Sequence, residues 1–204
     1  MPSDVALAPN LRRLRDAVGG FAALLRATSV EARILDSGAR LLRDLVAHDD
    51  WLPEAYAQPA PRRYQQHLLH CDSAERFSIV SFVWGPGQAT PVHDHTVWGL
   101  VGVLRGAELS QSYVRRGAGL IPSGPVRRLD AGQVEAISPR LGDIHQVCNA
   151  HTDQTSISIH VYGGDIGAIR RNADDADGRS RPFVSGYSNA TTPNLWGGLR
   201  GEAP

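Results

Sequence analysis

Between Tyr64 and Tyr162 the chain passes repeatedly through short segments rich in β-branched and aromatic residues, YQQHLLHC, RFSIVSFVW, WGLVGVL and TSISIHVY, each halted by Gly, Pro, Asp or Asn. Many short strands at close spacing, with no helical crossovers between them, suggest an antiparallel sandwich or barrel. Ahead of them, apolar residues recur at helical spacing, first at Leu11, Leu14, Val18, Phe21 and Leu25, then at Ile34, Leu35, Leu41, Leu42 and Leu45. Thr28-Ser29-Val30-Glu31 between the two runs has the form of a capping box, with Thr28 bonding forward and Glu31 reaching back. The expected fold class is therefore mainly β with N-terminal α-helices. Residues 1–62 would form a helical cap, 63–171 the barrel, and 172–204 a turn-rich tail of loops lying on the barrel, with Phe183, Tyr187 and Trp196 as anchors. At 204 residues this is a single domain with extensions.

Composition excludes several function classes. Lys plus Arg number 21 against 21 Asp plus Glu, with no basic stripe, so nucleic acid is not an expected partner. No segment approaches the ~20 apolar residues of a membrane span, and MPSDVALAPNLRRLRDAVGG lacks the uninterrupted apolar core of a signal peptide. A cytoplasmic location is expected. Cys71 and Cys148 are too few for a disulfide framework and read as reduced, small buried apolar residues. No dinucleotide or phosphate-loop glycine pattern is present, so no organic cofactor is expected.

His93 and His95, two apart in PVHDHTVWGLVGVLRG, would leave one face of a strand together, the geometry for two ligands on one metal. His145, in PRLGDIHQVCN, follows a Gly142-Asp143 turn and supplies a third candidate that a closed barrel could bring alongside. In Ser156-Ile157-Ser158-Ile159-His160-Val161-Tyr162 the alternation is unbroken. Its apolar face must pack on a core or helix, and its polar face must look into something wet or functional.

Gly87, His93, Asp94, His95, Gly99 and Gly106 together resemble the first cupin motif, with Gly99 standing where that motif has its glutamate ligand. Pro139, Gly142, His145 and Asn149 resemble the second, with an extra residue between the proline and the glycine. Three neutral imidazoles without a carboxylate resemble, within cupins, the thiol dioxygenases: cysteine dioxygenase and its bacterial relative 3-mercaptopropionate dioxygenase. The resemblance runs from about Tyr64 to Arg171. It implies one Fe(II) per chain on His93, His95 and His145, with a small thiol and O2 as the reactants and a sulfinate as the product. By ligand type alone zinc, copper or nickel could occupy such a site.

The same resemblance gives Ser158, His160 and Tyr162 the positions of a Ser-x-His-x-Tyr relay beside the metal. Nothing resembles the nucleophile elbow of a hydrolase. In animal cysteine dioxygenases a cysteine is cross-linked to the relay tyrosine; Gly99 stands at that position here, so no thioether can form. Those enzymes grip the substrate carboxylate with arginine in a Tyr-x-Arg context, whereas here the stretch is Tyr64-Gln65-Gln66, and Gln66 is similar to the 3-mercaptopropionate branch. That branch has a further arginine after the relay strand, matched by Arg171 or by Arg170. The expected substrate is 3-mercaptopropionate or L-cysteine. The alternatives are cysteine dioxygenase proper and, from another class, a non-enzymatic cupin that binds a metal or small ligand. Trp98 fits either a pocket wall or the packing.

Overall fold

The computed structural model describes residues 10–117, 119–175 and 179–196. Residues 1–9 of the expected cap and 197–204 of the expected tail lie outside the described residues. Two helices, α1 (Leu11–Ala27) and α2 (Glu31–Val46), precede twelve strands: β1 (Gln65–Cys71), β2 (Ser78–Trp84), β3 (Val92–His93), β4 (Gly99–Arg105), β5 (Ala107–Arg116), β6 (Gly119–Pro122), β7 (Arg127–Asp130), β8 (Val134–Ile137), β9 (His145–Asn149), β10 (Ser156–Tyr162), β11 (Arg171–Asp174) and β12 (Ser180–Phe183). One sheet has the order β1-β2-β10-β4-β8. The other runs β12-β11-β3-β9-β5-β6, with β7 also paired to β5. All pairings are antiparallel, as the lack of crossover helices predicts.

The alternation along β10 explains how the layers stack. Ile157, Ile159 and Val161 face outward into a cluster with Leu14, Phe21 and Leu42 from the helices, each worth ~1.5–3 kcal/mol in burial. Tyr162, on the opposite face, joins Val80, Phe82, Trp84, Val101 and Val147 in a second cluster between the sheets. β10, like its neighbour β2, is therefore buried along its whole length. The helix layer sits close to β4 because Gly102 has no side chain. A Cβ there would meet Leu42 Cγ at 2.9 Å and Val46 Cγ1 at 3.1 Å.

The junction between the helices differs from a capping box. α2 starts at Glu31 with Val30 as its N-cap and no side-chain cap, and the Thr28 hydroxyl accepts from Val30 N at 3.1 Å. The helix begins too late for Thr28 to reach its third amide. Glu31 instead lies 3.7 Å from Arg140. The tail also holds more order than its composition implies. β11 and β12 extend one side of the second sheet by two strands, with β12 at the edge, because short polar segments can pair through backbone groups without a hydrophobic alternation. Phe183 and Tyr187 are half-buried, but Trp196 is 65% exposed under the Arg15 guanidinium and anchors nothing by burial. Among the described residues no helix is long and apolar enough to cross a membrane.

Candidate metal centre

His93 and His145 face each other directly across the β3–β9 ladder. β3 contains only Val92 and His93, so His95 does not share a regular strand with His93 as its spacing predicts. It lies in the following loop, where Thr96 takes φ +60, and a carboxylate replaces the missing ladder. Asp143 Oδ2 accepts from His95 N at 3.0 Å and Thr96 N at 2.9 Å, and Asp143 Oδ1 lies 3.1 Å from His95 Nδ1. The three rings still converge, with centroids 4.7–5.0 Å apart, and their ligand atoms lie within 4.8 Å of one another.

The outer ring nitrogens explain this orientation. His93 Nδ1 lies 3.0 Å from the Pro91 carbonyl, His95 Nδ1 meets Asp143, and His145 Nδ1 is 3.4 Å from Ser110 Oγ. A carbonyl and a carboxylate behind two of the imidazoles are the supports that fix metal-binding tautomers and leave Nε2 for the ion. Burial lowers the pKa of all three, His93 to about 4 despite the Pro91 carbonyl acting the other way, so each ring is neutral and able to ligate at neutral pH. The donor set fits a facial three-imidazole metal site with positions left for exogenous ligands.

Above the histidines opens a cavity of about 390 Å³, near the lower end for ligand pockets. His160 and Tyr162 line it, and Ser158 stands behind them. Ser158 Oγ is 2.8 Å from His160 Nε2, His160 Nδ1 is 2.7 Å from the Tyr162 hydroxyl, and Trp84 Nε1 donates to Ser158 Oγ at 3.2 Å. Burial pulls His160 down to about 3 and pushes the Tyr162 phenol well above its ordinary value, so the chain is uncharged. The Tyr162 and His95 rings are stacked with centroids 5.5 Å apart, which sets the hydroxyl beside the three histidines.

Gly99 lies directly opposite Tyr162 in the β4–β10 register, and a Cβ there would come within 2.9 Å of the tyrosine ring. Any side chain at this position must displace Tyr162. Arg171 and Arg170 separate cleanly: Arg171 is buried and lines the cavity, whereas Arg170 is exposed. The Arg171 guanidinium lies 4.7 Å over the Phe183 ring, its Nη2 donates to Ser185 Oγ, and its Nε has no partner. Asp94, between the two histidines, accepts from Asn172 N at 2.7 Å and Asn172 Nδ2 at 2.8 Å, so the loop carrying His93 and His95 is clamped to the residue after Arg171. Gln66 and Tyr64 also line the cavity, Tyr64 packed on Trp84 at 4.8 Å.

A family model described as cysteine dioxygenase type I matches residues 33–174, about seven-tenths of the chain. The chain belongs to the cysteine dioxygenase type I family. Among solved structures it is similar to an uncharacterized protein with a double-stranded β-helix domain from Klebsiella pneumoniae, at 18% identity over 57% of this chain and 91% of that chain with TM-score 0.44. A protein from Thermus thermophilus (18%, 54% and 92%, TM-score 0.43) and a cupin superfamily protein from Desulfitobacterium hafniense (13%, 58% and 94%, TM-score 0.43) are similar to a like degree.

Trp98 packs on the helix-side cluster and does not reach the cavity, and Cys71 and Cys148 are half-buried free thiols whose pKa burial raises, that of Cys71 to about 11. Two groups beside the site carry no functional signal in the sequence, Asp143, visible there only as a turn residue, and Glu108. Glu108 is 2% exposed on β5, and neither carboxyl oxygen has a hydrogen-bond partner. Burial raises its pKa to about 8, opposed by the nearby Ser158 hydroxyl and Trp84 indole N–H.

Two outcomes follow from this geometry. Asp143→Ala should weaken metal binding by ~10–100-fold in a chelator competition; unchanged affinity would show that the carboxylate does not hold His95. Because the folded protein keeps the Glu108 proton up to about pH 8 while the unfolded chain releases it near 4.5, the native state binds more protons across that window and loses stability as pH rises. Urea midpoints of the wild type should therefore fall relative to Glu108→Gln between pH 5 and 8, by on the order of 4 kcal/mol in stability, and parallel curves would refute the assignment.

Proposed function

We propose that this chain is an iron-dependent thiol dioxygenase that converts a small thiol carboxylate and O2 to the sulfinate, with 3-mercaptopropionate preferred to L-cysteine. The observation that carries this reading is a buried arginine without a carboxylate partner, among the described residues, in the same small cavity as three neutral histidines. An uncompensated buried guanidinium is costly unless an anion completes it. Iron, when bound, would hold the thiol sulfur and dioxygen at neighbouring positions and supply the electronic route by which both oxygen atoms reach sulfur.

The chain's own residues would do the rest. His93, His95 and His145 contribute no negative charge, so the metal keeps its full attraction for a thiolate. Arg171 takes the carboxylate, and Phe183 under its guanidinium fixes the plane of the fork. At the position of the Tyr-x-Arg arginine stands Gln66, which brings no charge. The buried cation of the cavity is then Arg171 alone, on the β11 side, while Arg63 stands exposed at the rim. A substrate held from that side needs only thiolate and carboxylate, which 3-mercaptopropionate supplies without the amine of cysteine.

In the relay, the Trp84 indole can only donate. It occupies a lone pair of Ser158, whose hydrogen then runs to His160 Nε2. His160 in turn carries its hydrogen on Nδ1, towards the Tyr162 oxygen. The Tyr162 hydrogen is left to point into the cavity as a neutral donor to bound substrate or oxygen, and its raised pKa keeps it there at neutral pH.

Oxygen uptake by the Fe(II)-loaded protein tests this. kcat/KM should be higher for 3-mercaptopropionate than for L-cysteine, and Tyr162→Phe, which removes one hydrogen bond to a charged group, should lower kcat by ~10–100-fold. A preference for L-cysteine would assign the chain to cysteine dioxygenase proper, and no uptake with any small thiol would make it a metal-binding cupin without this activity.

A further inference from the structure

Two donors in the cavity converge on one atom. Gln66 Nε2 lies 3.1 Å from Ser185 Oγ, and Arg171 Nη2 lies 2.6 Å from the same oxygen. A serine hydroxyl has two lone pairs and one hydrogen. With both lone pairs filled from the protein, that hydrogen is its only remaining capacity, and Ser185 lines the cavity. The second N–H of the Gln66 amide donates to the Gly186 carbonyl at 3.1 Å, so the Gln66 nitrogen has no hydrogen left for a ligand. The donors available to an anion at this end of the cavity therefore include the Ser185 hydroxyl and the remaining N–H groups of the Arg171 guanidinium, whose buried Nε has no partner.

The segment that carries Ser185 is fixed rather than merely adjacent. Gly186 N donates to the Gly167 carbonyl at 3.0 Å, and Ser188 N donates to the Gln66 carbonyl at 2.7 Å. Gln66 N donates back to Ser188 Oγ at 2.9 Å. Asn189 brackets Leu68, accepting from its N–H at 2.7 Å and donating to its carbonyl at 2.8 Å. These bonds satisfy the free edge of β1. Tyr187, which also lines the cavity, accepts from Gly167 N at 2.9 Å and donates to Asp165. The strap is thus pinned on both sides of Ser185.

We propose that Ser185 is a substrate contact, its hydroxyl donating to one oxygen of the thiol's carboxylate while Arg171 supplies the charge, and that Gln66 acts through Ser185 as a positioning residue. This rests on the thiol-carboxylate reading above and deepens it: the carboxylate is recognised jointly by β11 and by a strap from the C-terminal tail. It also gives Gln66 a purpose consistent with its buried position, that of holding the strap and orienting a hydroxyl.

Ser185→Ala should raise KM for 3-mercaptopropionate by roughly tenfold, the loss of one charge-assisted hydrogen bond, with the smaller part of the effect in kcat. The loss of kcat/KM should be several-fold larger for 3-mercaptopropionate than for 2-mercaptoethanol, which has no carboxylate, and Ser185→Thr should restore most of it. Titration of propionate into the wild type and Ser185→Ala, followed calorimetrically, separates this proposal from the functional reading, since it needs no turnover. Roughly tenfold weaker propionate binding in the variant supports the contact even if no thiol is oxidised. No propionate binding by the wild type, equal losses for the two thiols, or unchanged or tighter propionate binding in Ser185→Ala would each overturn it; the last would mean that the hydroxyl only fills the place of a carboxylate oxygen.

Discussion

The structure depends on a strand that is buried on both faces while only one of those faces is apolar. Ile157, Ile159 and Val161 of β10 join the helices to the first sheet, and Ser158, His160 and Tyr162 point the other way into the space between the sheets. Polar groups removed from water must find partners or cost several kcal/mol. Here they find one another, Ser158 to His160 to Tyr162, with Trp84 closing the far end. The same burial that stabilises the fold thus keeps His160 neutral and Tyr162 protonated, and this hydrogen-bonded chain is a condition of packing β10 at the centre of its sheet.

A second constraint fixes the metal end. The loop around His93 and His95 has almost no ladder of its own, and two carboxylates hold it. Asp143 reaches from two residues ahead of His145 to the backbone and ring of His95, so one side chain ties two ligand segments together. Asp94 faces the opposite way and grips Asn172, the neighbour of Arg171. The separation of the three histidines from Arg171 is therefore set by short, charge-assisted contacts within one sheet.

Much of this was legible in the sequence where side-chain pattern and burial coincide. β2, β4 and β10 announce themselves because these central strands are apolar or cleanly alternating, and the three histidines stand out because their spacing resembles a known metal motif. What the sequence hid is carried by backbone pairing and tertiary contact. β11 and β12, RNAD and SRPF, have no hydrophobic period and pair only through their amides and carbonyls. Arg170 and Arg171 are indistinguishable until register puts one outside and one inside. Glu108 in AELSQS reads as an ordinary strand residue, and only the folded barrel shows a carboxyl buried beside Ser158 and Trp84. Ser185 sits in a polar tail whose contacts with β1 span more than a hundred residues of chain.

The central claim is that three neutral imidazoles hold an iron whose remaining positions take a thiolate. Iron-edge X-ray absorption of the Fe(II)-loaded protein, before and after addition of 3-mercaptopropionate, tests it most directly. The account predicts a first shell of nitrogen and oxygen with imidazole scattering from three histidines, and the appearance of one sulfur scatterer when the thiol is added. A sulfur-free shell after addition, or an imidazole count unchanged in His145→Ala, would contradict it.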